Sequence, residues 1–168
     1  DPKPDVMYQF GILGSQFVRY VYGIENPRVA LLNIGEEEKK GNLTSQNVFQ
    51  LMKESRDFTF IGNIEGRDIY NDVADVIVCD GFVGNVVLKQ GEAFYDILQK
   101  KGIQDSYFDK FNFENYGGVP VLGINSTVVV GHGISNSKAI NNMILLTKQV
   151  FKAKLSEKIN QALESFPR

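Results

Sequence analysis

The residues of this chain best suited to chemistry are short polar clusters that follow apolar runs. Asn33, Gly35 and Glu36 follow one run, and Asn63 and Glu65 follow a second. A third run ends at Asp80-Gly81, crosses Gly84-Asn85, and places Lys89 one helical turn beyond Asn85. Gly131-His132-Gly133 and Ser135 form a fourth cluster. Glycine lets backbone approach a ligand closely, and N–H groups at a helix start favour negative charge. Small amides, one ammonium and one imidazole beside such backbone describe a pocket for a phosphate-sized anion. Plainer readings stand beside this one. Asp80 and Asn85 are helix-capping types, His132 reads equally as a satisfied structural group, and Cys79 suits a small buried strand position. In Glu36-Glu37-Glu38-Lys39-Lys40, a solvated loop, only the first carboxylate is expected near the site. It is the convergence of four segments that favours a site.

With one histidine and one cysteine the chain has no zinc-type spacing. It contains no G-x-G-x-x-G, no G-x-x-x-x-G-K-[ST] and no G-x-S-x-G. Neither a metal nor an organic cofactor is therefore expected.

Those clusters need a scaffold that brings them to one edge, and the 168 residues suit a single α/β domain over positions 1–168. Val6, Phe10, Leu13, Phe17 and Val21 recur every three or four residues, which predicts a helix that Gly23 and Pro27 terminate. Short apolar runs at 29–34 (VALLNI), 58–64 (FTFIGNI) and 75–80 (DVIVCD) read as strands. Between them lie a helix over 44–55, capped by Thr44 or Ser45 with Val48, Leu51 and Met52 inward, and a polar helical turn over 65–72. Strand and helix in alternation imply a parallel sheet with right-handed crossovers. A helix after Gly84 carries Val87, Phe94 and Leu98 on one side. Segments 120–124 and 127–131 flank Asn125-Ser126 as a hairpin, and one long helix spans about 135–163. The architecture expected is a three-layer α/β/α sandwich with a mostly parallel sheet and one antiparallel hairpin. Open parallel sheets bind ligands outside the carboxyl ends of their strands, where all four clusters should fall.

Composition narrows the partners. Eighteen basic against twenty acidic residues, a formal charge of -2, argue against a nucleic-acid binder relying on a basic field. No apolar stretch approaches the roughly 20 residues that cross a bilayer. A lone cysteine demands no oxidising compartment, so a cytoplasmic protein is expected. DPKPDVMYQF has no signal-peptide pattern and no initiator methionine, which reads as a fragment or a processed product.

Taken together, GIENPRVALLNIGEEEKKGN (23–42), ADVIVCDGFVGNVVLK (74–89), NYGGVPVLGIN (115–125) and GHGISNSKAI (131–140) resemble the PlsX family of phosphate acyltransferases. The resemblance implies a fold like isocitrate and isopropylmalate dehydrogenases, and the C-terminal half of a longer acyltransferase. It implies transfer of a long-chain acyl group from acyl-acyl carrier protein to inorganic phosphate, giving acyl phosphate for phospholipid synthesis. It further implies a homodimer, peripheral contact with the cytoplasmic membrane and a membrane acyltransferase as partner. Only residues 99–115 stand where many members carry a longer amphipathic insertion. In such an enzyme His132, Asn85 and Lys89 would be catalytic. Asn33, Gly35, Glu36, Asn63, Glu65, Asp80, Gly81, Gly84, Gly131, Gly133 and Ser135 would line the phosphate and substrate site. A phosphotransacetylase-like enzyme using acyl-coenzyme A, and a noncatalytic phosphate-binding and dimerisation scaffold, are the alternatives.

Overall fold

The computed structural model describes residues 2–164. In chain order the elements are α1 (Pro4–Tyr22), β1 (Arg28–Leu32), α2 (Leu43–Lys53), β2 (Thr59–Ile64), a 3-10 turn (Gly66–Tyr70) and β3 (Val76–Val78). Then follow α3 (Gly81–Lys100), 3-10 turns at Phe108–Phe111 and Phe113–Asn115, β4 (Gly118–Pro120), β5 (Val129–Gly131), α4 (Ser137–Lys152) and α5 (Leu155–Glu164). Where the sequence suggests one domain, these elements divide into two compact units. The first takes the chain up to Asp80 and again from Leu155, and the second is Gly81–Lys154.

The first unit is built on a three-stranded parallel sheet of order β2-β1-β3. Central β1 is covered on both faces, with Val29, Ala30 and Leu31 fully buried. Burying a valine or leucine side chain in this way stabilises by about 1.5–3 kcal/mol. Val48 and Met52 of α2 point inward as expected, but Phe49 joins them while Leu51 is exposed. Asn42, one residue earlier than the caps expected, starts α2. It accepts the Ser45 N–H at 2.9 Å, and Ser45 Oγ accepts the Asn42 N–H at 3.1 Å.

The buried face of α1 differs from the one its large apolar residues mark. Met7, Tyr8, Gly11, Ile12 and Ser15 are buried, whereas Phe10 is 37% exposed. The reason is close approach. A Cβ on Gly11 would lie 2.8 Å from the Phe58 ring, and one on Gly14 would lie 2.5 Å from Val76 of β3. Small residues thus make the closest approach, beside the buried Met7, Tyr8 and Ile12.

The second unit holds the antiparallel pair β4–β5, with Val119 opposite Val130. A hairpin is present, yet its first strand ends at Pro120 rather than occupying 120–124, because Gly123 turns the chain with φ 79°. The long helix expected over 135–163 is two helices. Lys154, at φ 50°, ends the helical path after α4, and α5 packs on α1 in the first unit. Val150, Leu155 and Ile159 are buried as their spacing suggests, while Ile140 is 45% exposed.

Tyr8 ties α1 to the turn after α2, its hydroxyl donating to Asp57 Oδ2 at 2.7 Å and lying 2.7 Å from Ser55 Oγ. Burial, reinforced by Asp57 and opposed by Ser55, pushes the Tyr8 phenol up to about 12 from an ordinary 10.0. The fold therefore favours the neutral phenol. Its contribution to stability is complete below the unfolded value near 10 and is lost as pH rises towards about 12. Urea unfolding midpoints followed across that range should fall more steeply for the wild type than for Tyr8→Phe. Parallel curves would contradict this account.

Candidate active site

The residues singled out by the sequence fall into two groups, one per unit. Asn33, Gly35, Glu36, Asn63, Glu65 and Asp80 belong to the first unit. Gly81, Gly84, Asn85, Lys89, Gly131, His132, Gly133 and Ser135 belong to the second.

In the first unit a bulge in β2 sets the geometry. Val29 pairs with Phe60 but Leu31 pairs with Asn63, so β2 carries one extra residue around Gly62, at φ 101°. A one-residue shift reverses which face each later side chain occupies, and it re-aims Asn63. Asn63 is 6% exposed and accepts a hydrogen bond from Asn33 Nδ2 at 3.2 Å. Asn33 Nδ2 also donates to the Lys40 carbonyl at 3.1 Å, and Asn63 Nδ2 donates to the Glu37 carbonyl at 3.0 Å. Gln46 Nε2 holds the carbonyls of Lys39 (2.8 Å) and Gly41 (3.2 Å). Three amide side chains thus satisfy four successive-loop carbonyls that regular structure would otherwise satisfy.

The loop after β1 is consequently pinned rather than simply solvated. Glu38 adds to this, accepting from Gln50 at 2.5 Å and Lys53 at 2.9 Å, and the hydrogen bond from Gln50, then that from Lys53, hold its carboxyl below the usual range. A Cβ on Gly35 would meet the Lys40 side chain at 2.8 Å. Both Nδ2 hydrogens of Asn33 are engaged by protein acceptors, which gives Asn33 and Asn63 a scaffolding part in this loop. Glu36 and Glu65 flank Arg67, whose guanidinium lies 3.1 Å from Glu65 and 3.8 Å from Glu36. Arg67 escapes a reading of strand ends because it sits two residues past Glu65, inside a 3-10 turn.

In the second unit α3 starts at Gly81, three residues before the Gly84 start the sequence suggests. Asp80, an N-cap residue type, precedes it directly. Gly84 and Asn85 thus lie within the helix, where the Asn85 N–H points along the axis to the Gly81 carbonyl. The first turn of α3 is formed by the residues from Gly81 onward instead. A Cβ on Gly81 or on Gly133 would meet no atom within 4 Å among the described residues, so packing does not explain either glycine. Gly131 differs, since a Cβ there would press on Met143 Sδ at 3.0 Å.

Lys89 and His132, 43 residues apart in sequence, come together: Nζ lies 3.5 Å from Nε2. Lys89 also donates to Glu92 Oε2 at 2.8 Å. Phe113 stacks on the imidazole at a centroid distance of 4.5 Å. Ser135 Oγ donates to the His132 carbonyl at 2.6 Å, and Asn136 caps α4 by accepting the Ala139 N–H at 3.0 Å. Glu92 was legible three residues after Lys89 on a helix; the stacking of Phe113 had no sequence signal. Cys79 is a poor nucleophile, its thiol pushed up by burial and further by the Asp80 carboxylate. Among the described residues no cluster of three His, Cys, Asp or Glu groups could hold a metal ion.

Residues 1–101, more than half of the chain, match the family described as fatty acid synthesis protein. The chain belongs to that family. It is 43% identical to the phosphate acyltransferase of Halothermothrix orenii, over 97% of this chain and 55% of that protein. It is 37% identical to the phosphate acyltransferase of Dictyoglomus thermophilum, over 97% of this chain and 54% of the relative. For the phosphate acyltransferase of Desulforudis audaxviator the identity is 41%, over 92% and 52%. The chain spans about half the length of these curated relatives. The resemblance carried by the four motifs therefore holds at the level of the family.

Asn63→Ala should leave Asn33 and the Glu37 carbonyl short of partners and cost about 1–3 kcal/mol. Hydrogen exchange should then rise at residues 36–41 while β1 keeps its protection. Unchanged exchange in the loop would remove the pinning role.

Proposed function

We propose that this chain is part of a phosphate acyltransferase that moves a long-chain acyl group from acyl-acyl carrier protein to inorganic phosphate. The acyl phosphate formed would feed phospholipid synthesis. The observation that carries this reading is the meeting of Lys89 and His132, two side-chain nitrogens 3.5 Å apart, in a chain of this family. Lys89 would bind the phosphate, with the open backbone at Gly133, next to His132, contributing space for it. A phosphate oxygen would attack the thioester carbonyl carbon, and the carbonyl oxygen would become an oxyanion that His132 stabilises by donation. The carbon–sulfur bond then breaks, and the departing thiolate takes up a proton. Phosphate is already substantially dianionic near neutral pH, so alignment and charge stabilisation are the larger tasks. No acyl-enzyme is required.

The parallel sheet flanked by helices supports a three-layer arrangement of the dehydrogenase-like kind. Exposed Phe94, Ile144 and Phe151 support a protein contact of the kind a homodimer would make. Among the described residues no helix is long and apolar enough to cross a membrane; a peripheral contact with the membrane and its acyltransferase is what the family resemblance adds to this reading.

The complete gene product, given acyl-acyl carrier protein and labelled phosphate, should form acyl phosphate, and faster than with acyl-coenzyme A. A preference for acyl-coenzyme A would favour the phosphotransacetylase-like reading, and no product with either would favour a scaffold. His132→Ala should lower kcat by roughly two to three orders of magnitude. Lys89→Ala should chiefly raise the KM for phosphate.

A further inference from the structure

His132 is held on three sides within the second unit. Phe113 stacks on one ring face, 4.5 Å between centroids and 29° between planes. The Ile134 N–H points at Nδ1 from 3.4 Å, and Lys89 Nζ lies 3.5 Å from Nε2. A neutral imidazole has one N–H and one lone pair, whereas an ammonium and a backbone amide can only donate. Both neighbours therefore cannot be hydrogen-bonded to the same neutral ring. Lys89 already donates at 2.8 Å to the carboxylate of Glu92, a stronger acceptor than a ring nitrogen at 3.5 Å. With the lone pair directed to the Ile134 N–H, Nε2 would carry the proton. Two donors then stand side by side that cannot satisfy each other, and both can donate to one oxygen of an anion.

We propose that Phe113 and Glu92 are positioning residues that orient His132 and Lys89 as a paired donor for a single anionic oxygen. Phe113 is itself well anchored. The turn that carries it is held by Asn112, which accepts the Glu114 N–H at 3.0 Å and donates to Tyr95 Oη at 3.2 Å. Asn142 of α4 donates to the Glu114 carbonyl at 2.8 Å, and Asn136 donates to Glu114 Oε1 at 2.7 Å. The plane of the imidazole is thus referred, through Phe113, to the start of the helix that follows His132. This inference rests on the proposed function for the identity of the anion, but the ring geometry stands apart from it.

His132 is the sole histidine, so its ring nitrogens can be followed without ambiguity in a long-range proton–nitrogen NMR spectrum. At alkaline pH the ring should be the Nε2–H tautomer, and inorganic phosphate should shift Nε2 but leave Nδ1 in place. Phe113→Leu should give mixed tautomers, and Phe113→Tyr should restore the single one. An Nδ1–H ring in the wild type, or a Phe113→Leu spectrum like the wild type's, overturns the proposal. In the complete gene product Phe113→Leu should lower kcat roughly ten- to a hundredfold with the thioester KM unchanged, and Phe113→Tyr should recover it. Glu92→Gln should raise the phosphate KM alone. Should the wild-type gene product form no acyl phosphate, the functional reading fails, and the tautomer result by itself upholds or overturns the pairing.

Discussion

Gly11, Gly14 and Ser15 set how near α1 can lie to the sheet, and much of the first unit follows from that distance. With Phe58 and Val76 where the glycine side chains would be, the helix axis sits close enough to seal β1 completely on that side. Ser15 makes this tolerable by donating its hydroxyl to the Gly11 carbonyl at 2.6 Å, so no polar hydrogen is stranded in the contact. A strand sealed on both faces cannot slip its register, since every alternative pairing would bury the wrong residues. With β1 fixed, the extra residue in β2 falls beside Gly62, and the pairing beyond it matches Leu31 with Asn63.

The two polar groups do different physical work. In the first unit amide side chains replace missing secondary structure, knitting the loop after β1 to α2 and β2. In the second unit the polar contacts pair Lys89 with Glu92 and at the same time set its ammonium beside the His132 ring. A well-satisfied network rigidifies; a surplus of donors recognises charge. The glycines divide in the same way, Gly35 and Gly131 having side chains close by and Gly81 and Gly133 having nothing nearby among the described residues.

The three strands and the first helix were legible because uniform apolar runs and a 3.6-residue period report burial directly. The face of α1 was not, because glycine and serine carry no hydrophobic signal although they make the closest contact. Position 154 gave no warning of a helix break, since lysine is a good helix former and its left-handed backbone is imposed by tertiary structure. At the site, Lys89 and His132 could be named but not paired, because 43 residues of intervening chain separate them. The part played by Phe113 was hidden too, since an aromatic side chain advertises size, not what it stacks upon.

The turn at Lys154 sends the chain home. Leu155 and Ile159, almost wholly buried, complete a core whose other members were synthesised before residue 80. The contact of α5 with α1 therefore joins segments that lie on either side of Gly81–Lys154 in the chain. Gly81–Lys154 is in this sense an insertion between the two segments of the first unit.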